Sequence, residues 1–263
     1  MKTSSSTNRI ETDDRTIDAM VRRAQPELRR AMNLIRRPEA RVAVVGSPIG
    51  KLFVAEGPRG LVTVHFLAIR EADRTLDLLR QRFDLIENEP STAAMRSYID
   101  SYFSGDLSVL AHPVDLSLVQ SEFQRRALIR LRSVPPGAVI TYQGLASAVG
   151  APDAQRAIGT TMAKNPIPIF IPCHRVIRSD GTIGNYGGGV ERKIVLLRTE
   201  GFVVKRDLKL PARAVFGHRK SLIFCRPECG AAKRAGQVNQ LIFADATHAR
   251  VAGLRACKLC HPE

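Results

Sequence analysis

The chain has 263 residues, of which 44% are hydrophobic, so it has the length and the apolar content for one large domain or two to three small ones. It carries 40 Lys and Arg against 25 Asp and Glu, a net charge of +15, and an odd number of cysteines, five. No apolar run approaches the roughly 20 residues of a membrane helix, and the first residues lack an apolar signal core. We therefore expect a cytoplasmic protein with no membrane segment, whose reduced cysteines are catalytic or metal-binding.

Positive charge and cysteines share the second half of the chain. Residues 121–263 hold 23 Lys and Arg against 9 Asp and Glu, and all five cysteines, whereas residues 41–120 hold 8 basic against 10 acidic side chains. A basic excess can serve solubility alone, but an excess this uneven favours a polyanionic partner. The charge pattern therefore favours a nucleic-acid-binding protein.

The first predicted element is a helix within residues 1–38, where arginine pairs alternate with apolar positions at helical spacing. This basic N-terminal extension is more simply a solvated helix face than a DNA-binding arm. Three short strands separated by Gly and Pro turns and then two helices follow: 42–45, 50–55, 60–67, 71–83 and 91–104.

A helix-turn-helix pattern is predicted further along the chain. A helix that begins near Phe123 stops before the Pro135-Pro136-Gly137 turn, and Thr141 can cap a short helix that runs through Val149. After a Gly-containing turn, a second helix spans about 154–164. Two helices joined by a short turn with glycine are typical of this DNA-binding motif.

The second helix presents small side chains on its outward face, with one long cation, Arg156, near its start. A major-groove reader would offer Arg, Asn or Gln to base edges, whereas small residues allow close approach of the backbone, as in the narrower minor groove. Tight packing against another helix is the alternative. The small outward residues are Ala157, Gly159, Thr160 and Ala163.

Cys173 lies beside His174 and Arg175, after a proline-stiffened apolar segment. A lone cysteine in an apolar run is usually a core residue, but hydrogen-bonding and positive neighbours lower the pKa of a thiol and so favour a nucleophile. Adjacent side chains on an extended strand point to opposite faces. Cys173 and His174 can therefore pair directly only if the backbone turns there, and a bridging water is the alternative. A cysteine hydrolase remains one interpretation of this pair.

These motifs resemble those of the O6-alkylguanine-DNA alkyltransferases. The resemblance covers roughly residues 40–203 and is dense over 113–201. It rests on a series of motifs in order: Pro113-Val114-Asp115-Leu116, Val134-Pro135-Pro136-Gly137, Thr141-Tyr142, Arg156-Ala157-Ile158-Gly159, Asn165-Pro166, Pro172-Cys173-His174-Arg175-Val176, Gly184-Asn185-Tyr186, Gly188-Gly189, Lys193, Leu196-Leu197 and Glu200-Gly201.

The resemblance implies an α+β protein that transfers an alkyl group from O6-alkylguanine, and from O4-alkylthymine, in double-stranded DNA to a cysteine. An alkylated base edge is inaccessible inside a duplex, so the nucleotide must be flipped out. The thioether that forms is not hydrolysed, so each molecule acts once. We expect the protein to be a monomer. The alternative to this activity is a non-enzymatic lesion sensor or transcriptional regulator.

The resemblance also assigns roles to residues. Cys173 would accept the alkyl group, activated through a water by His174, which Glu200 polarises. Asn165 would brace the active-site turn, and Tyr142 would help to rotate the phosphate and donate a proton to the guanine oxygen.

Further residues are implied to contact DNA or to line the pocket. Arg156 would fill the vacated base stack, and Gly187 stands where many members carry a serine. The remaining residues implied for DNA contact are Ala157, Gly159, Thr160 and Arg175, and those implied for the pocket are Tyr186, Gly187 and Pro168.

The other four cysteines form two closely spaced pairs, Cys225-x3-Cys229 and Cys257-x2-Cys260, separated by 27 residues. This spacing predicts a tetrahedral four-thiolate zinc site, with disulfides as the alternative. A segment of about 50 residues has little core of its own, so the metal would supply much of its stability. Nearby histidines are predicted not to be ligands, because four thiolates complete the coordination.

This segment resembles the zinc domain of the adaptive-response protein Ada. Phe224-Cys225-Arg226-Pro227 and Ala252-Gly253-Leu254-Arg255-Ala256-Cys257 carry the resemblance, together with Cys229 and Cys260. In that family the first cysteine, here Cys225, is both a zinc ligand and the acceptor of methyl groups from DNA phosphotriesters. The domain usually comes first in the chain, whereas here it comes last. The sequence therefore favours Cys225 as a purely structural ligand in a basic, phosphate-gripping module, with methyl acceptance as the alternative.

The predicted organisation has five parts. They are a basic N-terminal extension at 1–38, a ribonuclease-H-like domain at 39–112, a helix-turn-helix, winged-helix-like catalytic domain at 113–203, a linker at 204–214 and a zinc domain at 215–263.

Overall fold

The computed structural model describes residues 18–27, 37–67, 72–205, 207–234 and 240–263. The chain divides into two units, Met1–Pro38 and Glu39–Glu263. In the first unit residues 18–27 are helical and exposed, and the rest of the predicted N-terminal helix lies outside the described residues. Within the described part of the chain, no helix combines the length and apolar character needed to cross a membrane.

The second unit begins with a four-stranded sheet in the order β3-β2-β1-β4. The three predicted strands form an antiparallel meander, and a fourth strand pairs parallel with β1. The strands are β1 (Glu39–Val45), β2 (Leu52–Gly57), β3 (Gly60–Phe66) and β4 (Asp84–Ile86).

Two helices, α1 (Ala72–Arg82) and α2 (Glu89–Phe103), pack against this sheet. Asn88 caps α2 by accepting a hydrogen bond from the backbone N–H of Ser91 at 2.9 Å. All six residues of β2 are buried, and alternate residues belong to different core clusters, one shared with α1 and the other with α2. Because side chains alternate between the faces of a strand, both faces of the sheet are covered.

The middle of the chain forms four helices and two short strands. Ser121 and Thr141 cap α3 and α4 with their hydroxyl oxygens, and Gly150 supplies the positive φ of the turn between α4 and α5. The elements are α3 (Glu122–Arg132), β5 (Ala138–Thr141), α4 (Tyr142–Ala148), α5 (Gln155–Ala163), β6 (Val176–Ile177) and α6 (Val190–Thr199). The three helices predicted here are confirmed as α3, α4 and α5, whereas β5, β6 and α6 were not predicted.

The C-terminal part adds four strands and two short helices. The strands form one sheet with β5 and β6 in the order β10-β8-β7-β9-β5-β6. The elements are β7 (Val215–His218), β8 (Ile223–Cys225), α7 (Gly230–Arg234), β9 (Gln240–Phe243), α8 (Ala246–Val251) and β10 (Arg255–Ala256).

The junction between these two parts is a strand pair that the sequence did not predict. Strand β9 runs antiparallel to β5, with Ala138 opposite Phe243 and Val139 opposite Ile242. Residues of both parts also share hydrophobic clusters, so the cysteine-rich segment does not rely on a core of its own. The predicted linker, 204–214, is also hydrogen-bonded to the middle of the chain. The carbonyl of Leu208 accepts from the N–H of Ile183 at 2.9 Å.

Candidate active site and zinc centre

The cysteine, histidine and arginine of the central motif form one 3₁₀ turn, Cys173–Arg175, immediately before β6. The N–H of Cys173 bonds to the carbonyl of Ile171 at 2.8 Å, and the N–H of Arg175 bonds to that of Pro172 at 2.9 Å. Because the backbone turns here, the constraint that opposes pairing of adjacent side chains on an extended strand does not apply.

Asn165 spans the loop that precedes this turn. Its side-chain amide donates to the carbonyl of Ile171 at 2.7 Å, and its oxygen accepts from the N–H of Ile167 at 3.1 Å. The next residue, Pro166, is tied to β3, since its carbonyl accepts from the hydroxyl of Thr63 at 2.8 Å and from the N–H of Val64 at 2.9 Å. The active-site loop is thus held from within by Asn165 and from outside by the N-terminal sheet.

Cys173 is buried, and its Sγ lies 3.8 Å from the hydroxyl of Tyr186. Burial raises the pKa of its thiol, and hydrogen bonds with Asn165 and Tyr186 and the charge of Lys193 offset this only in part. The sulfur is therefore protonated at neutral pH in the free protein. A nucleophilic role requires a base that removes this proton.

His174 is buried and places Nε2 2.8 Å from Oε1 of Glu200. Because the carboxylate accepts, Nε2 must carry the hydrogen, and Nδ1 keeps the lone pair. Nδ1 is also the one buried side-chain polar atom without a partner among the described residues. Burial lowers the pKa of His174 despite the opposing effect of Glu200, so the ring is neutral and Nδ1 can accept a proton.

Glu200 is held ionised inside the protein by Arg175. Burial raises the pKa of this carboxyl, but the Arg175 charge and the hydrogen bonds from Arg175 and His174 outweigh burial and hold the pKa well below its usual range. The guanidinium is bidentate, with Nε 2.7 Å from Oε2 and Nη2 2.7 Å from Oε1. A paired, hydrogen-bonded arrangement is what a buried charge requires.

The prediction that Arg175 contacts DNA is wrong. Its side chain is buried, and its third nitrogen, Nη1, donates to the carbonyl of Val134. With these donors committed to Glu200 and Val134 inside the fold, the guanidinium cannot reach a phosphate. The Arg175 side chain instead joins the active-site turn to Glu200 and to the carbonyl of Val134.

Tyr142, predicted as a proton donor, is the first residue of α4 and is half-buried. Burial and the nearby Cys173 sulfur raise the pKa of its phenol, so it stays protonated. Of the predicted pocket residues, Pro168 is buried, Tyr186 contacts Cys173, and Gly187 is exposed with no heavy atom within 4 Å of where a Cβ would lie.

Arg192 and Lys193 also hold the site, although the sequence analysis assigned a role to neither. Arg192 lies over the ring of Phe66 at 5.1 Å and donates to the carbonyls of Ile49 and Gly188, so it ties the pocket loop to the N-terminal sheet. Lys193 is buried, bonds through Nζ to the carbonyls of Val176 and Ile183, and has its pKa lowered by burial to about 8. A lysine at an apolar-face position of α6 was the available signal.

The small-residue face of α5 points outward. Arg156, Ala157 and Thr160 are exposed, whereas Ile158 and Met162 on the opposite side are buried. A Cβ added at Gly159 would meet no heavy atom within 4 Å. No described residue therefore packs tightly against Gly159, and helix packing does not explain why this face carries small residues.

The four remaining cysteines converge. Cys225 ends β8, Cys229 precedes α7, and Cys257 and Cys260 follow β10, with their sulfur atoms all within 4.8 Å of one another. Tetrahedral zinc at Zn–S distances of about 2.3 Å puts sulfurs roughly 3.8 Å apart, so this donor set fits zinc. Backbone N–H groups of Arg226 and Leu259 lie 3.4 and 3.5 Å from the Cys260 and Cys257 sulfurs, an arrangement that stabilises thiolates.

A cavity of about 280 Å³ opens beside this cluster. Cys225 and Cys257 form part of its wall, together with apolar side chains and with polar residues that include His218, Ser221 and Arg255. The cavity therefore gives a ligand access to two of the four cysteines.

The exposed small-residue helix, the buried Cys173–His174–Glu200 series and the four-cysteine cluster together define the class of a DNA-binding protein with a separate zinc centre. Residues 122–202 match the family model described as 6-O-methylguanine DNA methyltransferase, DNA binding domain, and residues 200–263 match the metal-binding domain of Ada. The C-terminal region therefore carries a zinc site.

Similar proteins agree with these matches. The methylated-DNA–protein-cysteine methyltransferase of Mycobacterium leprae is 39% identical over 164 residues, which is 62% of this chain and 94% of the relative. A Mycobacterium tuberculosis OGT in complex with DNA has 32% identity and a TM-score of 0.51, over 62% of this chain and 92% of that one. The chain belongs to the methylated-DNA–protein-cysteine methyltransferase family.

The bifunctional transcriptional activator/DNA repair enzyme Ada of Escherichia coli is 36% identical over 163 residues, 61% of this chain. The match covers 45% of Ada, so this chain spans less than half of that relative.

Proposed function

We propose that this protein repairs alkylated double-stranded DNA by transferring the alkyl group of O6-alkylguanine, and of O4-alkylthymine, to Cys173. The observation that carries the proposal is the buried series of Cys173, His174 and Glu200, in which a protonated thiol is followed in the chain by a neutral imidazole whose Nδ1 has no partner among the described residues. A thiol that must lose its proton thus adjoins, along the chain, a base that can take it through a water.

The transfer is a single displacement. A water between Cys173 and His174 passes the thiol proton to Nδ1, and Glu200 stabilises the resulting imidazolium through Nε2. The sulfur attacks the alkyl carbon, the carbon–oxygen bond breaks, and its electrons stay on the base. Tyr142 donates a proton to that oxygen and regains one from the imidazolium through solvent, so the thiol proton ends on guanine. The thioether persists, and each molecule therefore acts once.

DNA binds against α5. Its exposed small residues allow the helix to approach the minor groove closely, and Arg156 is the long side chain that can enter the stack when the damaged nucleotide leaves it. Flipping costs about a few kcal/mol, which an inserted guanidinium and phosphate contacts offset.

We also propose assignments for the individual domains. Residues 39–112 form a ribonuclease-H-like domain, supported by a sheet that is antiparallel through β1–β3 and parallel at β4, with helices on both faces. Residues 113–203 form a winged-helix-like catalytic domain, 204–214 connect it to the zinc domain at 215–263, and 1–38 are a basic extension. We expect a monomer that works on DNA in the cytoplasm.

Intact-protein mass spectrometry after incubation with methylated duplex DNA tests the main proposal. We expect one methyl group on the Cys173 peptide, and none on that peptide in Cys173→Ala, which should still bind the duplex. Many product equivalents per protein would instead indicate a hydrolase, and binding with no added mass would indicate a lesion sensor.

A second activity is favoured by the cavity at the zinc centre. Cys225 borders it, together with Arg255 and Ser221, which can hold a phosphate group close to the sulfur. Bound zinc keeps its ligand thiols deprotonated, and four thiolates around one dication leave negative charge on sulfur. We propose that Cys225 accepts methyl groups from phosphotriesters, with a purely structural ligand as the alternative.

Duplexes that carry only methyl phosphotriesters separate these two roles. A methyl group on Cys225 in Cys173→Ala supports the second activity. An unmodified zinc domain after exhaustive incubation, in protein that still repairs O6-methylguanine, assigns Cys225 to structure alone.

A further inference from the structure

The catalytic carboxylate receives a hydrogen bond from the N-terminal half of the second unit. Tyr102, in the last turn of α2, donates its hydroxyl to Oε1 of Glu200 at 2.8 Å, and both side chains are buried. Burial and the negative charge of Glu200 raise the pKa of Tyr102 well above its usual value, so the phenol keeps its proton and is always the donor.

Oε1 of Glu200 is a crowded acceptor. Three donors reach this one oxygen: Tyr102 Oη at 2.8 Å, His174 Nε2 at 2.8 Å and Arg175 Nη2 at 2.7 Å. A carboxylate oxygen has two lone pairs, so the donors share its electron density. Each donor weakens the attraction that the oxygen exerts on the other two.

We propose that Tyr102 is a positioning residue for the alkyl transfer: its hydroxyl draws charge from Glu200 and thereby keeps the ring of His174 neutral and ready to accept the thiol proton. The inference rests on the role proposed above for His174. It gives α2, which lies about 70 residues before the cysteine in the chain, a part in tuning the base.

Two features of α2 make this contact a fixed one. Met95, Ile99 and Tyr102 lie on one helix face and are buried in the main hydrophobic cluster, so the position of the phenol is set by packing. The ring of Phe103 meets that of Tyr102 edge-on, with centroids 5.1 Å apart.

Among the described residues, the charged groups that act on His174 are Glu200, Arg175 and Lys193. Glu200 acts to raise its pKa, whereas burial, Arg175 and Lys193 act to lower it. Cys173 is adjacent in the chain, and Tyr102 lies on the far side of the carboxylate. Removing the Tyr102 hydroxyl leaves more negative charge for His174, so its imidazole should hold a proton up to a higher pH.

The test is Tyr102→Phe in the full-length, zinc-loaded protein. Single-turnover transfer from a duplex with one O6-methylguanine is followed against pH, and the His174 imidazole is titrated by NMR. A hydrogen bond to a charged group is strong enough to move both midpoints upward by roughly half to one pH unit. Below the midpoint this makes transfer about three- to ten-fold slower, with the rate recovering at high pH.

The matched control is Tyr98→Phe, the same change one turn earlier on α2. The Tyr98 ring stacks on His112, with centroids 4.4 Å apart, and does not bond Glu200. It should leave both midpoints where they are. A loss by the same factor at every pH in Tyr102→Phe, with an unmoved His174 titration, would show that Tyr102 serves only to pack the helix.

A second substitution keeps the proposal testable if Tyr102→Phe fails to fold. Site-specific 3-fluorotyrosine at position 102 keeps the hydroxyl and makes it a stronger donor, so both midpoints should move downward. Unchanged or raised midpoints in that protein contradict the inference. Absence of any transfer by the unmodified protein would instead count against the proposed function, because the NMR titration does not depend on activity.

Discussion

The imidazole of His248, in the zinc-binding part, covers Gly201, the residue that follows Glu200 in the catalytic part. The same ring covers Gly137, so a Cβ at either glycine would overlap it. Asp245 fixes the ring by accepting from Nδ1 at 2.8 Å. The zinc-binding part thus packs directly against the C-terminal end of α6, where Glu200 follows the last helical residue.

Gly201→Ala should destabilise the protein through this contact. Gly201 has φ +90°, and its new methyl would meet the His248 ring, so we expect a loss of about 2–4 kcal/mol in the free energy of unfolding. Urea denaturation measures it. Gly253→Ala is the control, because Gly253 has φ +84° and open space, and it should cost only about 1–2 kcal/mol. Equal losses in the two variants would mean that His248 moves aside freely.

The free energy of unfolding should decrease in two stages as the pH is lowered, one for His174 and one for Glu200. Burial depresses the pKa of His174 below 6.5, and Arg175, against burial, depresses that of Glu200 below 4.5, so each group binds fewer protons in the folded state. Stability is therefore lost as pH drops below about 6.5 for His174 and below about 4.5 for Glu200. Unfolding free energies measured from pH 8 to 3 should show a smaller slope just below about pH 6.5 in His174→Gln than in the parent protein.

Glu200→Gln tests the second stage. It leaves the Arg175 guanidinium buried without an anion, so we expect a loss of about 3–5 kcal/mol at pH 7 and a weaker dependence below pH 4.5. Transfer should slow by about two orders of magnitude or more, since the base loses its partner. A variant as stable as the parent would show that solvent reaches Arg175.

Gly159→Leu should separate DNA binding from folding. A Cβ at this position would meet no heavy atom within 4 Å, so the melting temperature should change little, while close approach of α5 to DNA is blocked. We expect duplex affinity to fall at least about ten-fold, equivalent to about 1.4 kcal/mol. Ala93→Leu, a small-to-large change at an exposed position of α2, is the control and should bind DNA normally. Undiminished binding by Gly159→Leu would remove α5 from the interface.

Zinc removal should weaken the catalytic part as well as the cysteine cluster. Four-thiolate sites contribute on the order of 10 kcal/mol, and β9 pairs directly with β5. Calorimetry of Cys229→Ser, or of chelated protein, should therefore show a lower transition that includes the alkyltransferase signal. Two separate transitions, with the catalytic one unmoved, would show that the shared sheet transmits no stability.

Local patterns in the sequence were sufficient for much of this fold. Capping residues such as Thr141 and the spacing of the cysteine pairs act over a few residues, and the helices and the cysteine cluster lie where those patterns predicted. Arg175 was misassigned because a charged residue beside a nucleophile looks exposed until its partner, Glu200, is known. Tyr102 gave no signal, because a tyrosine on an amphipathic helix is ordinarily only a core residue.

The pairing of β9 with β5 could not be foreseen for a related reason. Strand pairing depends on which edge is left open after the rest of the fold forms, and neither strand is longer than four residues. Their alternation carries too little information to specify a partner about 100 residues away. The same lack of a local signal hid the contact between His248 and Gly201.

The strand β5 has a neighbour on each side, β6 with the active-site turn and β9 from the C-terminal part. Shortening the chain at residue 214 would strip one side of β5 and leave Ala138 and Val139 with an open row of backbone donors and acceptors. Such an edge is a template for pairing with other chains. In the full chain β9 occupies this edge, and the pairing does not involve Cys173.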